Sequence, residues 1–291
     1  MNLRWLGNKY RYAPAIVRLF PSIGSYDTYI EPFCGVAGIY RFAKENELFS
    51  NKKIILNDTN AYLINFWRCI QQRPREFYIA YNKLPKCPTT AIYFMVRQDF
   101  NTLISRRGYA DFTAIDVDAA AMFYWFNVWG YKGVWRVSAR SNFNIPMQFR
   151  HVQDIDFLTV EHFSAQFIDV TFTCTDFRNF FTMDTERTLF YCDPPYLQRI
   201  KESNYPTKLY TQYTLEGFNY IDHARLADLA FDVADENTTV LISNIDGDET
   251  RECYKQPPFK NIWIPRVNRR FTNTPDVEVL LLIGGPTYVY T

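Results

Sequence analysis

Strand and helix signals alternate at both ends of this 291-residue chain but not across its middle. Near the start, "YDTYIEPFCG" is an extended run entering a glycine turn, "IYRFAKENEL" has helical spacing, and "KKIILND" is a second short buried strand. The rhythm returns at "FTCTDFRNFF", "RTLFYCDPPY", "DHARLADLAFDVA", "TTVLISN" and "VEVLLLIGG". Between these blocks lie the helical patterns "AYLINFWRCIQQRPREFYIAYNKL" and "DAAAMFYWFNVWG", then an extended piece, "YKGVWRVSARSNFNIP". Alternating strands and helices build a sheet covered on both faces. The chain is therefore expected to form a doubly wound α/β sheet from its two ends, with a mostly helical insertion between them.

At 47% hydrophobic residues the chain can bury a full core, which excludes disorder. The net charge of +1 gives no global pull on polyanions, so any nucleic-acid surface must come from locally grouped Lys and Arg. Phe, Tyr and Trp reach 18%, and aromatic side chains are chiefly burial residues. The six cysteines are widely spaced without a CxxC pair, and there are three histidines, so neither a structural metal nor a disulfide framework is expected. The N-terminal "MNLRWLGNKYRY" has no apolar leader core, and the apolar run at 119–129 is too short for a membrane span. A reduced, soluble, intracellular protein is expected, cytoplasmic or nucleoid-associated, with no membrane partner.

In open α/β sheets, ligands sit beyond the carboxyl ends of strands, where a glycine turn lets backbone approach them closely. Gly35 and Gly38 in "EPFCGVAG" stand at such a place. Asp58 ends the following strand, where such folds put an acid on ribose hydroxyls; by itself it could equally cap the next helix. Together these features suggest a nucleoside cofactor. In "FYCDPPYLQR", Pro194 forces Asp193 into an extended conformation at a strand end. Neither proline has an N–H, so the corner offers acceptors only: the Asp193 carboxylate and the Pro194 carbonyl. An exocyclic amino group such as adenine N6 has two hydrogens to give to that pair, and Tyr196 has a flat face on which a base can stack. Such a nitrogen needs only an electrophile in line, and the methyl sulfonium of S-adenosylmethionine is one.

With these motifs in this order, the chain resembles the alpha class of DNA adenine-N6 methyltransferases, and especially the Dam type that methylates GATC. The likeness runs nearly end to end: "RWLGNKYRYAPAIVRLFP", "YIEPFCGVAG", "DPPY", "YTLEGFNYIDHARLADLA" and "VLISN" match that family's successive elements. It implies a Rossmann-like S-adenosylmethionine-dependent methyltransferase fold, with residues 1–62 and 161–291 forming the catalytic domain. Residues 63–160 would form an inserted target-recognition domain containing a β-hairpin. By the same resemblance Trp5, Gly7, Lys9, Phe33, Gly35, Asp58, Asp176, Phe177 and Asp193 line the cofactor pocket, and Asp193, Pro194 and Tyr196 are catalytic.

From 129 to 151 the only formal charges are Lys132, Arg136, Arg140 and Arg150, interleaved with Tyr131, Trp135 and Phe143. A basic, aromatic-studded ribbon can neutralise phosphates and wedge into a base stack. The resemblance gives Tyr131 the wedge, Lys132 and Val134 the neighbourhood of the flipped base, and Arg136 a guanine, whose O6 and N7 match the guanidinium fork. Arg4 would read an outer guanine, and Arg269 and Arg270 would contact phosphates. The partner implied is double-stranded DNA. The chain departs from the family where Ala37 and Gly38 displace the second glycine of the glycine motif, where Asn8 replaces a glycine, and where Lys132 and Arg150 replace Asn and Tyr. Two alternatives stay open: an RNA adenine-N6 methyltransferase, and a catalytically silent nucleic-acid-binding subunit on the same fold.

Overall fold

The runs "TLFYC" and "TVLISNI" are buried almost throughout, and "TYIE" and "KIILN" at all but their first residue. That is the pattern of parallel strands covered on both faces, not the alternation of a half-exposed sheet. The computed structural model describes residues 1, 3–107, 114–138, 142–150, 152, 154–197, 218–255, 260–263 and 278–285. Its elements in chain order are α1 (Ala13–Ile16), β1 (Thr28–Glu31), α2 (Gly38–Glu45), β2 (Lys53–Asn57), α3 (Ala61–Gln72), α4 (Pro74–Asn82), α5 (Thr90–Arg107) and α6 (Val117–Trp129), then α7 (Phe157–Ala165), β3 (Val170–Thr173), β4 (Thr188–Cys192), α8 (Tyr220–Val233), β5 (Thr239–Ile245), α9 (Asp248–Cys253), β6 (Lys260–Trp263) and β7 (Glu278–Gly284). The described residues divide into two compact units, one from Met1–Asn8 and Asp58–Cys174, the other from Lys9–Asn57 and the residues from Thr175 onward.

In the unit that begins at Lys9, six strands follow the order β2-β1-β4-β5-β7-β6. β1 runs parallel to β2 and β4, and β4 parallel to β5, whereas β7 is antiparallel to both β5 and β6. Successive strands lie on one side of β1 and then, after the interruption, on the other. The order therefore reverses between β1 and β4, and such a reversal opens a crevice beyond the carboxyl ends of the two strands. Ile30 pairs in register with Phe190, so the loops that leave β1 and β4 start side by side. Ile30, Ile55, Phe190, Ile242 and Leu281 from the strands pack with Leu226 and Ala230 of α8 in one buried cluster. This is the α/β sheet expected from the two chain ends, with a Rossmann-like order.

The other unit is mostly helical and built on aromatic contacts. Asn60 starts α3 by accepting the Tyr62 and Leu63 amides, and Asp116 starts α6 by accepting the Ala119 amide. The two starts are tied together, because the Asn65 side chain accepts the Asp116 amide and donates to its carbonyl. α6 is apolar all round and almost wholly buried, as a central helix must be. Phe66 packs against Phe77, Phe123 and Tyr124, and Trp67 stacks on Phe172.

The expected hairpin takes the form of antiparallel pairing without continuous strands. Bridges join Gly130 to Met147 and Val137 to Phe143, and further bonds run from the Tyr131 amide to the Pro146 carbonyl and from Gln148 to Trp129. A tight turn at Tyr131–Gly133, with Lys132 at φ 55° and Gly133 at φ 67°, interrupts the ladder. Side chains of α5 hold the returning segment instead: Tyr93 Oη donates to the Ile145 carbonyl, while Asn101 both accepts the Phe143 amide and donates to its carbonyl. A Cβ on Gly133 would lie 2.3 Å from the Cβ of Arg4, in a backbone conformation that side chains resist. Gly133→Ala is expected to lower the unfolding free energy by about 1–3 kcal/mol, measured by chemical denaturation.

Candidate active site

β4 ends at Cys192, and the acceptor corner follows directly. Lys9 is 5% exposed, and its Nζ lies 3.0 Å from Asp193 Oδ1. The same ammonium sits 4.7 Å from the centre of the Tyr196 ring. Lys9, given to the cofactor pocket by the sequence resemblance, thus meets the carboxylate and the aromatic face of the corner. A largely desolvated ammonium at this distance favours the ionised carboxylate.

The loop leaving β1 forms the other side of the switch point. Glu31 is buried and accepts, on one oxygen, the Tyr29 hydroxyl at 2.8 Å and the Tyr40 amide at 2.9 Å. Burial pushes its carboxyl up to about 8; these two donors oppose the rise, and the charge of Asp193 adds to it. Asn57, wholly buried at the end of β2, donates to the carbonyls of Pro32 and Thr175 and accepts the Thr175 amide. One amide side chain therefore stitches the glycine loop to the segment carrying Asp176. Gly35 turns at φ 48°, and Ala37 starts α2 at φ 52° in the left-handed region, where an alanine costs about 1–2 kcal/mol relative to ordinary helical geometry.

Phe33 and Phe177, both expected at the cofactor, do meet: their ring centres are 5.3 Å apart. Phe218 completes the cluster at 5.5 Å from Phe33 and 5.6 Å from Phe177. Asp176 caps the short helix at Phe177–Phe181 by accepting the Arg178 amide, and both of its oxygens take guanidinium nitrogens of Arg178 at 2.7 Å. Those bonds hold its carboxyl below the usual range.

Arg4, Trp5, Gly7, Asp58 and the described hairpin residues belong to the helical unit. Trp5 packs near Phe123, 6.3 Å between ring centres, and Gly7 turns at φ 86° within a bend closed by the Asn8 amide on the Trp5 carbonyl. Asp58 accepts the Asn60 amide, and Asn60 rather than Asp58 is the residue that caps α3. The Arg4 backbone is clamped by Asn127, which accepts its amide at 2.9 Å and donates to its carbonyl at 2.6 Å. Arg150 Nη2 donates to the Asn127 carbonyl, so this cation braces the same junction. Tyr131 and Lys132 are exposed neighbours, with the ammonium 5.1 Å from the ring centre, and Val134 follows half-buried. Arg136 is exposed and fixed through Nε, which donates to Asn144 Oδ1 at 2.8 Å. Arg140, Arg269 and Arg270 lie outside the described residues.

One sequence expectation is corrected here. Trp135 and Phe143 do not stud an exposed ribbon with Tyr131: they are 5% and 1% exposed and pack against each other, Phe100, Phe123 and Phe126. Alternation along 135–137 sets Arg136 outward and Trp135 and Val137 inward. Glu31, Asn57, Asn127 and His223 went unnoticed in the sequence. Only Glu31 carried a usable signal, as an acid ending a buried strand; the others bond to backbone distant in the chain.

A doubly wound sheet with an antiparallel β7 beside β5, and an acceptor corner at its switch point, defines a Rossmann-like methyltransferase. The chain belongs to the D12 class of N6 adenine-specific DNA methyltransferases, whose model matches residues 5–271. Among curated proteins, the DNA adenine methylase of Salmonella typhimurium is 28% identical over 289 residues, 98% of this chain and 95% of that protein. The DNA adenine methylase of Escherichia coli (strain K12) is 27% identical over 290 residues, 99% and 96%, and that of Haemophilus influenzae 27% over 283 residues, 95% and 89%. A solved rRNA methyltransferase, aviRa from Streptomyces viridochromogenes, aligns at a TM-score of 0.34 and 10% identity over 94% of this chain and 84% of that one, too loosely to bear on the argument. Among the described residues, no group of three or more His, Cys, Asp or Glu could hold a metal ion, and no helix is long and apolar enough to cross a membrane.

Glu31 gives this site a measurable pH signature. Its ordinary value is 4.5 and its folded value about 8, so the folded chain keeps a proton that the unfolded chain releases in between. This contribution to stability is complete below 4.5 and is lost as pH rises through 8. Glu31→Gln is expected to remove that downward slope, seen as unfolding free energy against pH, and to gain on the parent most clearly at the alkaline end.

Proposed function

We propose that this member of the family is a site-specific DNA adenine methyltransferase that takes its methyl group from S-adenosylmethionine and acts on an adenine flipped out of duplex DNA. The observation that carries the reading is the acceptor corner: Asp193 held by Lys9 beside the Tyr196 face, at the mouth of the β1/β4 crevice. The residues of the neighbouring loop suit an adenosyl group. The Phe33, Phe177 and Phe218 rings offer flat apolar faces, the Gly35 turn lets backbone come close, and Asp176 supplies an acid at the edge. Trp5, Gly7, Lys9 and Asp58 are assigned to the same cofactor by family resemblance. When bound, S-adenosylmethionine supplies a methyl carbon made electrophilic by a positive sulfur.

The chain's own part is positioning. Asp193 and the Pro194 carbonyl each take one hydrogen of the adenine amino group, which frees the nitrogen lone pair from the ring system. Tyr196 supports the base by stacking, and Asp193 is placed to receive the proton that the nitrogen sheds once it has gained a fourth bond. Because N6 lies inside the paired stack, the base must leave the duplex first. We assign residues 63–160 to target recognition, with Tyr131, Lys132 and Val134 near the flipped base and Arg4 and Arg136 on guanines. Arg140, Arg150, Arg269 and Arg270 are assigned to the nucleic-acid surface on the sequence pattern. A GATC target follows from the Dam-type resemblance and is the sequence to test first.

Asp193→Ala is expected to reduce transfer of labelled methyl to duplex DNA by about 10²-fold or more, while DNA association stays near the parent value and the thermal unfolding temperature falls, because the buried Lys9 ammonium loses its partner. Normal turnover by that variant refutes the acceptor corner. Arg136→Ala is expected to relax base preference by about 1–3 kcal/mol at one position, read as the ratio of rates on cognate and single-substituted duplexes. Equal losses on both duplexes remove its reading role.

A further inference from the structure

The two prolines that make the corner an acceptor site also deprive it of the usual means of staying in place. Between Asp193 and Tyr196 there is no backbone N–H to close a turn. Two of the bonds that fix this segment come from buried side chains on other elements. Pro195 presents its carbonyl to His223 Nε2 at 2.9 Å, and Leu197 gives its amide to Asn244 Oδ1 at 3.3 Å. These two contacts lie on either side of Tyr196. Both donating and accepting residues are wholly buried, His223 in the first turns of α8 and Asn244 within β5.

The chemistry of each contact fixes its direction. A carbonyl can only accept, so His223 carries its proton on Nε2 and leaves Nδ1 bare. Tyr254 Oη, 2.8 Å from Nδ1, donates to it and locks that tautomer. Burial pulls His223 down to about 4, so the ring is neutral across the physiological range. The start of α8 is itself rigid: Asn219 and Asp222 form a reciprocal cap, and the His223 amide bonds the Asn219 carbonyl. On its remaining side the imidazole meets Phe218 edge to face at 4.7 Å, and Phe218 packs on Phe33 and Phe177.

We infer that His223 and Asn244 are positioning residues that brace the acceptor corner from behind, and that His223 joins the corner to the aromatic cluster of the glycine loop. Neither residue touches the reacting atoms. The inference rests on the proposed role of residues 193–196 and adds what keeps Asp193 and Tyr196 in a productive place. Misplacement by about 1 Å costs on the order of 10²-fold in rate, so the brace acts on turnover more than on affinity.

The test compares two replacements of one side chain in the full chain. Gln at 223 keeps a donor near the position of Nε2, whereas Asn reaches only the position of Nδ1. His223→Gln is expected to retain most of kcat on duplex DNA, and His223→Asn to lose about 10²-fold, with KM for S-adenosylmethionine and DNA affinity within about threefold of the parent. Hydrogen exchange at the Tyr196 and Leu197 amides is expected to quicken about tenfold in His223→Asn and stay at the parent rate in His223→Gln. Should the Asn variant fail to fold, Asn244→Leu takes its place, with faster exchange at Leu197 and a fall in kcat. Parallel losses of kcat in the Gln and Asn variants, or unchanged exchange in the variants that remove a bond, overturn the brace. Absence of methyl transfer by the parent overturns the proposed function, and the exchange measurement still decides the brace.

Discussion

The parallel pairing of β1 with β4, Ile30 beside Phe190, brings carboxyl groups from distant parts of the chain to adjoining strand ends. Two acids so placed cannot both ionise freely, and their surroundings separate them. Asp193 has the Lys9 ammonium at 3.0 Å, while Glu31 accepts a hydroxyl and an amide and is pushed up to about 8 by burial. The ammonium favours the ionised form of Asp193, and burial favours the neutral form of Glu31. The two surroundings thus push the two carboxyl groups toward opposite forms. Glu31 has a separate task, since its bond to the Tyr40 amide ties the end of β1 to the start of α2 across the glycine turn.

Much of the fold was legible because it depends on local rules. Apolar runs such as "TLFYC" and "TVLISNI" read as strands buried on both faces, and the helices around them read from spacing and capping residues. The corner was legible for a similar reason, since the consequences of two prolines after an acid are confined to neighbouring residues. What stayed hidden depends on long-range pairing. Nothing near Lys9 says that Asp193 will be 3.0 Å away, and nothing near Asn57 says that it will bond Thr175. The antiparallel course of β7 was equally silent, because an apolar run does not disclose its direction in a sheet.

The hairpin shows where composition misled. Tyr131, Trp135 and Phe143 look alike in the sequence, yet only Tyr131 is exposed, at 42%. Trp135 and Phe143 are buried with Phe100, Phe123 and Phe126, so the hairpin's inner side is an extension of the helical unit's core. Its outer side keeps Lys132 and Arg136 exposed. A hairpin built this way is packed on one face and polar on the other. Its backbone is held by α5 through Tyr93 and Asn101 instead of by a long ladder. On the proposed reading, that stiffness lets the Arg136 guanidinium, oriented by Asn144, discriminate by geometry as well as by charge.

The same logic governs the corner itself. A proline brings a carbonyl to the corner without adding an N–H of its own. Using it twice removes the bonds that would otherwise fix the turn, so rigidity must be supplied from outside by groups that do not compete for the same oxygens. His223 takes the Pro195 carbonyl and Asn244 the Leu197 amide, which leaves the Pro194 carbonyl out of both contacts. In this chain α8 provides a donor to one flank of the corner and β5 an acceptor to the other.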